Sequence, residues 1–336
     1  MKKKRFSRLL IGLCLLLAVA LALPMLAGCS GDDGKVYKIG ISQIVTHPAL
    51  DATREGVIAG MAEEGYVEGD NVEFDYQTSE GDSSLVASIA QTFVGEPKDA
   101  IVTIATPDSQ ATISAAEGTD IPVIFSAVTD PVGAGLVTDW MSHADENVTG
   151  VSDMIDVVAN VELILEIIPD LKTLGTLYNA GEDNSVFLIG KLHEAADDLG
   201  ITIVEATVST SADVLGAAQS LVGKVDAIWI GTDNTVVSGL EALIGVGEDN
   251  QIPVFASDDP SIERGAIAAY GFDYYDIGVQ TGKMLARVLE ADGDASGIEV
   301  EKGTVIGLSV NTAAAERMGI TIPQSVIDRA DDVYDE

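Results

Sequence analysis

The chain has almost no cysteine, and the little it has lies near the start. Cys14 and Cys29 are the only two cysteines among 336 residues. A disulfide or a structural zinc site needs thiols within the folded body, and the rest of the chain supplies none. Histidine is also scarce, with three residues at no metal-ligand spacing. The sequence therefore predicts no metal site, no other cofactor and no thiol chemistry.

Basic residues are few as well. The chain has 18 Lys and Arg against 54 Asp and Glu, a net charge of −36. Five of the basic residues, Lys2, Lys3, Lys4, Arg5 and Arg8, lie at the extreme N-terminus, so 13 remain against 54 beyond it, a net charge of −41. Such a surface repels phosphate backbones, so we expect no nucleic-acid partner. The acidity itself is typical of a soluble surface.

Motifs of several enzyme classes are missing. No G-x-S-x-G turn, P-loop or G-x-G-x-x-G occurs where a strand would lead into a helix, so hydrolase, nucleotidase and dinucleotide-binding interpretations lack support. Carboxylates are so abundant that a glycosidase-like pair would carry no information. We expect a binding protein and not an enzyme, and a turnover assay would separate the two.

The N-terminus has the pattern of an export signal. A basic start is followed by the apolar run Leu9–Leu23 and then by Pro24, which predicts a signal peptide over residues 1–28. A membrane-spanning helix is the alternative, but Pro24 interrupts the run. Leu26–Cys29 is similar to the bacterial lipoprotein box, which predicts lipidation of Cys29 and a flexible tether over residues 29–35.

One block of sequence occurs twice, from Gln91 to Pro131 and from Gln219 to Pro260. Each copy has a helix ending in Val-Gly, a strand beginning Asp-Ala-Ile, a Thr-bearing turn, a helix, a strand beginning Ile-Pro-Val, and an Asp-Pro corner. The first copy is offset by 128 residues from the second at Gln91 and Gln219. A duplicated βαβ block predicts an α/β protein with two similar lobes, each a doubly wound parallel sheet.

The chain length agrees with two domains. We expect lobe 1 over residues 36–150, with part of 272–310 crossing back to it, and lobe 2 over 151–271. The segment 147–153 should cross between the lobes, and 311–336 should pack near the hinge or lobe 2.

Polar clusters come directly after the apolar strand runs. In an open parallel sheet, ligands bind beyond the carboxyl ends of the strands, where loops and helix N-termini gather. If these edges of the two lobes face each other, they form a cleft that closes on a ligand. The clusters are Thr106–Gln110, Thr129–Asp130, Thr232–Asn234 and Ser257–Asp259.

The order of several short motifs indicates a family. From about Lys38 to Ala330 the chain resembles the ABC-transporter substrate-binding lipoproteins of the tryptophan/tyrosine type, which adopt the type I periplasmic-binding fold. Asp108 and Ser109 depart from the pattern, because small apolar residues are usual there; Asp108 could favour a more cationic ligand or cap its helix. The matching motifs are Ile41-Ser42-Gln43 with His47–Asp51, Thr106-Pro107 with Gln110, Val128–Pro131, Asn147–Gly150, Leu177–Asn179 with Glu182–Ser185, Thr232–Asn234, Ser257-Asp258 and Gly271–Tyr274.

The resemblance implies a receptor that captures a small solute and delivers it to a permease with a cytoplasmic ATPase. The solute would be an amino acid, and in this family an aromatic one. The receptor would be a monomer outside the cytoplasm, attached to the cell membrane only through lipid on Cys29.

Each group of an amino acid calls for a different partner. The carboxylate suits helix N-termini with the hydroxyls of Ser42, Thr106, Ser126 or Thr129, although Ser42 and Thr106 could equally be strand-end caps. The ammonium group needs fixed acceptors, and Asp233 and Asp258 lie at post-strand positions in the second lobe. Tyr178, Tyr270, Phe272 and His47 could pack an apolar or aromatic side chain of the ligand. The full set of candidate ligand-binding residues is Ser42, Gln43, His47, Thr106, Gln110, Ser126, Thr129, Tyr178, Asn184, Asp233, Asp258 and Tyr270.

Two further functions share the expected fold. A transcriptional regulator would need a DNA-binding helix pair where this chain has an export signal. A surface sensor that binds a solute without transporting it remains an alternative.

Overall fold

A computed structural model describes residues 34–140 and 147–335. The predicted signal peptide 1–28 and the lipidation site Cys29 lie outside these residues. Within the two described ranges, no helix combines the length and the apolar character needed to cross a bilayer.

The first sheet has six strands, and every neighbouring pair in it is parallel. Its two central strands are buried along their whole length, as expected where helices cover both faces of a parallel sheet. In spatial order the strands are β11 (Glu301–Lys302), β5 (Val148–Ser152), β4 (Val123–Val128), β3 (Ala100–Ile104), β1 (Tyr37–Gln43) and β2 (Val72–Thr78).

The second sheet has four parallel strands: β7 (Thr202–Val208), β6 (Thr173–Asn179), β8 (Ala227–Trp229) and β9 (Val254–Phe255). A third ladder contains β10 (Ala268–Phe272), β12 (Ile306–Asn311) and β13 (Asp332–Tyr334). The N–H of Ile267 donates to the carbonyl of Val254 at 2.8 Å, so β10 runs beside β9 and extends the second sheet.

Twelve α-helices connect the strands of the described chain, with a 3₁₀ turn at Ser211–Asp213. They are α1 (Pro48–Glu63), α2 (Ser83–Gly95), α3 (Thr106–Ala116), α4 (Val157–Ile167), α5 (Asp183–Leu199), α6 (Val214–Leu221), α7 (Asn234–Ser238), α8 (Leu240–Asn250), α9 (Asp259–Glu263), α10 (Tyr274–Glu290), α11 (Thr312–Arg317) and α12 (Gln324–Ile327).

The two sheets repeat one topology. The order β2-β1-β3-β4 in the first matches β7-β6-β8-β9 in the second. The chain therefore changes direction between β1 and β3 and again between β6 and β8, and such switch points are where open α/β sheets bind ligands. The predicted fold class, with two doubly wound parallel sheets, is confirmed.

Glycine decides how closely α1 and α10 approach. A Cβ atom on Gly56 would fall on the carbonyl oxygen of Tyr275, and one on Gly278 would fall on the carbonyl oxygen of Thr53. Only glycine allows two helix backbones to come this close. The contact also fixes the position of the N-termini of both helices, which reach a cavity between the sheets.

Two late segments differ from the expected pattern. The segment 147–153, expected to cross between the lobes, instead begins with β5, which pairs with β4 inside the first sheet. The acidic end forms the short strand β13 beside β12, where no element was predicted. The three residues of β13 are too few to leave a period in the sequence. The five residues of β5 include Gly150, and glycine weakens a strand pattern.

Candidate functional site

A buried cavity lies where the carboxyl ends of the two parallel sheets face each other. The cavity is narrow: the centre of a water-sized sphere can occupy about 20 Å³ of it. Six residues predicted from the sequence line it: His47, Thr106, Thr129, Asn184, Asp233 and Asp258. Eight further residues complete the lining: Ala49, Leu50, Ala127, Asp153, Thr232, Asn234, Val237 and Tyr274.

The first sheet brings two helix N-termini to the cavity. His47 is the N-cap residue of α1, and Ala105 is the N-cap residue of α3, and neither side chain caps its helix. Ala49, Leu50 and Thr106, in the first turns of these helices, line the cavity. Free N–H groups and the helix dipole make such ends favourable places for an anion.

The backbone is strained at two alanines beside these ends. Ala105 has φ of 81° after β3, and Ala127 has φ of 54° at the irregularity that shifts the register of β4. A non-glycine residue in this region costs about 1–3 kcal/mol and persists only where the surroundings impose it. Because Ala127 lines the cavity, its strained backbone conformation sets the shape of that part of the cavity wall.

The loops that follow strands of the second sheet place carboxylates at the cavity. Asp233 caps α7: one oxygen accepts from the N–H of Val236 at 2.8 Å and the other from the N–H of Asn179 at 2.6 Å. Burial, together with the nearby charge of Glu182, raises the pKa of Asp233 to about 7. Each carboxylate oxygen has a second lone pair, so Asp233 can cap its helix and still accept from a ligand.

Asp258 occupies the equivalent position after β9. Its two oxygens accept from the N–H of Ser261 at 3.0 Å and from the hydroxyl of Ser261 at 2.8 Å. Burial raises the pKa of the Asp258 carboxyl, because a charged group loses hydration in a low-dielectric surrounding.

Asp153 and Tyr274 line the cavity but were not among the residues predicted from the sequence. The hydroxyl of Tyr274 donates to Asp153 at 2.7 Å, and the hydroxyl of Thr129 donates to the other oxygen at 3.1 Å. Burial raises the pKa of Asp153. Both residues lie where the predicted ones do, at the end of a strand or the start of a helix. Asp153 lies directly after β5, and Tyr274 is the first residue of α10.

Three polar atoms in the lining have no partner within the protein. They are Nδ1 of His47, Oγ1 of Thr106 and Oδ1 of Asn184, and all three side chains are buried. The Asn184 amide is oriented by its nitrogen, which donates to the carbonyl of Thr232 at 2.9 Å. Buried polar atoms in folded proteins are nearly always bonded to protein or to ordered water, so these three atoms are available to bond a ligand or a water molecule in the cavity.

The first sheet also holds three of the other predicted residues, all outside the cavity lining. Ser42 donates to Asp108 at 2.6 Å, and Ser126 shares a hydrogen bond of 2.7 Å with Thr281. Gln43 donates to the carbonyl of Val45 at 2.8 Å. These side chains satisfy neighbours within their own lobe.

Asp108 neither lines the cavity nor caps α3. One of its oxygens accepts from Ser42 and the other, which is buried, has no partner. Burial raises the pKa of Asp108 to about 7.

The remaining three predicted residues are also outside the lining. Tyr178 donates to Glu205 at 2.8 Å, and Tyr270 is 38% exposed on the outer surface. Gln110 donates to Asp183 on the opposite lobe at 2.6 Å. The strand period could not show that Tyr178 and Tyr270 face away from the cleft, because both faces of their sheet are largely apolar.

The two lobes touch at the cavity itself. The hydroxyls of Thr129 and Thr232 lie 3.3 Å apart, one directly after β4 of the first sheet and the other after β8 of the second. Together with the bond from Gln110 to Asp183, this contact joins the two lobes. In the described part of the chain, no group of three or more His, Cys, Asp and Glu side chains could hold a metal ion.

Comparison with known proteins places the chain in a family. Residues 38–334 match the family described as ABC transporter substrate binding protein. A tyrosine-binding protein of Clostridioides difficile is 39% identical over 291 residues, covering 83% of this chain and 84% of that protein.

Two solved structures extend the comparison. One, from Streptococcus pneumonia in complex with L-Trp, has a TM-score of 0.84 at 37% identity and covers 89% of this chain and all of that one. The other is the ligand-free, open structure of a Clostridium difficile substrate-binding protein with adhesive properties. Its TM-score is 0.67 at 35% identity, and the match covers 90% of this chain and all of that one. Of the two, the structure with bound L-Trp is therefore the more similar to this chain. The chain belongs to the ABC transporter substrate-binding protein family.

Proposed function

We propose that this protein captures an aromatic amino acid outside the cytoplasm and presents it, by closure of the two lobes, to an ABC permease with its ATPase. Two related proteins are described as binding tyrosine and as holding L-Trp. The observation that carries the proposal is the polarity of the cavity: uncapped helix N-termini face it from one lobe, and carboxylates face it from the other.

The ammonium group of the ligand is held by the acidic wall. Asp233 and Asp258 line the cavity from the second lobe, and each oxygen that already accepts one hydrogen bond can accept another. The free Oδ1 of Asn184 adds a neutral acceptor next to Asp233. A buried cation gains a large Coulomb energy from such a wall, because little water screens it.

The carboxylate group of the ligand is held by the opposite wall. The first turns of α1 and α3 present N–H groups without side-chain caps, and the unpartnered hydroxyl of Thr106 lies in the same wall. Separating the two charges between the lobes makes closure depend on the ligand, since only a molecule with both groups satisfies both walls.

The side chain of the ligand packs on what remains of the lining. Leu50, Ala127, Val237 and the ring of Tyr274 supply apolar surface. Small residues such as Ala49 and Ala127 leave room where a larger wall residue would fill the space. An aromatic ring buries much apolar area at little cost in conformational entropy.

The chain would reach the permease from a membrane anchor. We propose that residues 1–28 are removed as a signal peptide and that Cys29 carries the lipid, so that a monomer is held at the outer face of the cell membrane. The comparison supports an extracytoplasmic place, because substrate-binding proteins of ABC transporters work there.

Native mass spectrometry of protein purified without refolding tests the ligand. We expect a mass increase equal to tryptophan or tyrosine, and calorimetric titration of stripped protein should give a dissociation constant near or below micromolar, about −8 kcal/mol. Recovery of the added amino acid unchanged after prolonged incubation is expected. A chemically altered ligand would favour an enzyme, and the absence of binding by any amino acid would contradict the proposal.

A further inference from the structure

Glu182 is a buried residue that lies behind the wall of the ligand cavity. It is 5% exposed and does not line the cavity. It lines instead the outer cleft, the open space between the lobes that Glu80, Pro107 and Ser211 also line. Glu182 precedes α5 as its N-cap residue, but its side chain makes no cap hydrogen bond. The carboxylate is therefore not used to hold the end of its own helix.

Both oxygens of Glu182 accept hydrogen bonds from the start of α7, which follows a different strand. Oε1 accepts from the N–H of Thr235 at 3.1 Å and from its hydroxyl at 2.7 Å. Oε2 accepts from the N–H of Asn234 at 3.2 Å and from its side-chain nitrogen at 2.6 Å. Hydrogen bonds to a charged acceptor are about twice as strong as those between neutral groups, so Glu182 holds the first residues of α7 firmly.

A second carboxylate makes the reverse connection. Asp233, which precedes α7, accepts from the N–H of Asn179 at the end of β6. Glu182, in the loop after β6, accepts from the start of α7, so the loops after β6 and β8 are joined in both directions. The helix α7 has only five residues, and so short a helix is not stable alone. The bonds to Glu182 therefore decide where its first residues lie.

The residues held in this way belong to the cavity wall. Asp233 and Asn234 both line the ligand cavity, and Asn234 also lines the outer cleft. Because they are neighbours in the chain, a shift of the Asn234 backbone moves the Asp233 carboxylate as well. Glu182 can therefore alter ligand binding without a contact to the ligand.

We propose that Glu182 is a positioning residue of the ligand site, which fixes Asp233 and Asn234 in the cavity wall and acts through its charge on the Asp233 carboxylate. The inference rests on the proposed function, in which Asp233 binds the ammonium group of the ligand. It gives a role in binding to a residue that the ligand does not touch.

The charge of Glu182 opposes the ionisation of Asp233. Burial, and second this charge, raise the pKa of Asp233 to about 7, since like charges in a low-dielectric surrounding disfavour each other. Within the described chain, Glu182 is the charged group that acts on Asp233. The other titratable side chains that line the cavity stay unchanged in the variants of the test: His47, Asp153, Asp258 and Tyr274.

The experiment compares Glu182→Gln, which removes the charge, with Glu182→Asp, which keeps the charge and withdraws the carboxylate by one methylene. Calorimetric titration from pH 5 to 8 measures the affinity for L-Trp or L-Tyr, whichever binds the wild type more tightly. At pH 8 we expect both variants to bind about tenfold more weakly, because bonds to the start of α7 are lost. The pH at which the affinity reaches half of its plateau should fall by about one unit in Glu182→Gln and stay unchanged in Glu182→Asp.

Glu194→Gln is the matched control. Glu194 is exposed on α5, where it contacts Lys191, so this variant removes one negative charge from the same lobe without changing the cavity or the outer cleft. It should keep the wild-type affinity at every pH. If Glu182→Gln weakens binding equally at every pH, or if Glu194→Gln shifts the pH profile as far, the inference is overturned.

A measurement on the free protein separates this inference from the proposed function. In carbon-detected NMR spectra, the Asp233 carboxyl carbon should titrate at a lower pH in Glu182→Gln than in the wild type. An unchanged titration midpoint would overturn the inference. If the midpoint falls but no amino acid binds to the wild type, the proposed function fails and the action of Glu182 on Asp233 stands.

Thr235→Val tests the positioning with the charge of Glu182 in place. It removes the hydroxyl that donates to Glu182, on a residue that lines the outer cleft and not the ligand cavity. We expect about fivefold weaker binding with the wild-type pH profile. Thr202→Val, the same change at an exposed position of β7, should leave the affinity unaltered. Equal affinities of Thr235→Val and the wild type would overturn the positioning role.

Discussion

Gln110 and Asp183 join the two lobes at the mouth of the cleft. The Gln110 side chain, on α3, donates to the Asp183 carboxylate, on α5, at 2.6 Å, and also donates to the carbonyl of Ala134 in its own lobe at 3.0 Å. The same amide nitrogen is thus anchored in one lobe and reaches the other. A contact between the lobes stabilises the conformation in which the two lobes meet.

Removing this contact should speed ligand release. We expect Gln110→Ala to weaken binding about fivefold, since a hydrogen bond of this kind contributes about 1 kcal/mol. Most of the loss should appear in the dissociation rate, because the bond forms after the ligand has entered. Stopped-flow fluorescence measures both rates. Gln91→Ala, the same change on an exposed position of α2, should leave them unaltered, and an unchanged dissociation rate in Gln110→Ala would contradict the role.

Removing the charge of Asp258 should remove most of the affinity. In Asp258→Asn the amide oxygen still accepts from the N–H of Ser261, so the cap of α9 and the fold are retained. We expect the affinity for the amino acid to fall at least a hundredfold, because losing one partner of a buried charge pair costs about 3–5 kcal/mol.

Asp226→Asn is the matched control for Asp258→Asn. Asp226 precedes β8, at the opposite end of that strand from the cavity, and accepts from the N–H groups of Lys172 and Thr173. The substitution Asp226→Asn removes one negative charge without changing a residue of the cavity. Isothermal titration calorimetry measures the affinity of each variant. Equal losses of affinity in Asp258→Asn and Asp226→Asn would show that overall charge, and not the Asp258 carboxylate, sets the affinity.

Binding should strengthen as the pH rises toward neutrality. The pKa of Asp233 is raised to about 7 in the free protein, and an ammonium ligand favours the ionised carboxylate. Below pH 7, binding therefore releases a proton, and the affinity should rise up to tenfold per pH unit between pH 5 and 7. Asp233→Asn should flatten this dependence. Titration in two buffers of different ionisation enthalpy measures the proton release, and no release at pH 6 would contradict the assignment.

The same pKa shift predicts the stability of the free protein. Between pH 4 and 7 the folded Asp233 holds a proton that the unfolded chain has lost, so its contribution to the free energy of unfolding falls as the pH rises through this window. His47 acts in the opposite direction between about pH 4 and 6.5, because its folded pKa is lowered to about 4. The difference between wild type and Asp233→Asn, measured by urea unfolding at each pH, isolates the carboxyl. A difference independent of pH would contradict its raised pKa.

The glycine contact between α1 and α10 should be needed for binding as well as for stability. In Gly278→Ala the new Cβ meets the carbonyl oxygen of Thr53, and overpacking of this kind costs about 1–3 kcal/mol or more. Separating the helices would also displace His47 and Tyr274 at their N-termini. We expect a lower melting temperature and weaker binding in the same variant.

Gly190→Ala provides the control for Gly278→Ala. Gly190 lies within α5 with nothing near the position of a Cβ, so alanine there should stabilise the helix by about 0.5–1 kcal/mol. Differential scanning calorimetry should show opposite shifts in melting temperature for the two variants. Equal and small shifts would mean that α1 and α10 can move apart freely.

Much of the site could be predicted because the end of a buried strand is visible in the sequence as polar residues after a short apolar run. Thr106, Asp233 and Asp258 each come after a short apolar run, and the carboxyl end of a parallel strand is where a ligand binds. Ser42 and Ser126 fit the same rule but face their own lobe. A strand alternates its side chains between two faces, and which face turns to the cleft is set by packing and not by position along the chain.

The amino-acid sequence by itself determined the duplication, the α/β class, the family and the candidate carboxylates, because these depend on local periodicity and on the order of short motifs. Only the tertiary structure decided that Asp153 and Tyr274 join the cavity and that Tyr178 and Tyr270 do not. It also decided which nitrogen of His47 is left without a partner. These facts depend on contacts between residues more than a hundred positions apart, such as Tyr274 with Asp153, and no local pattern encodes which distant side chain will satisfy a buried polar atom.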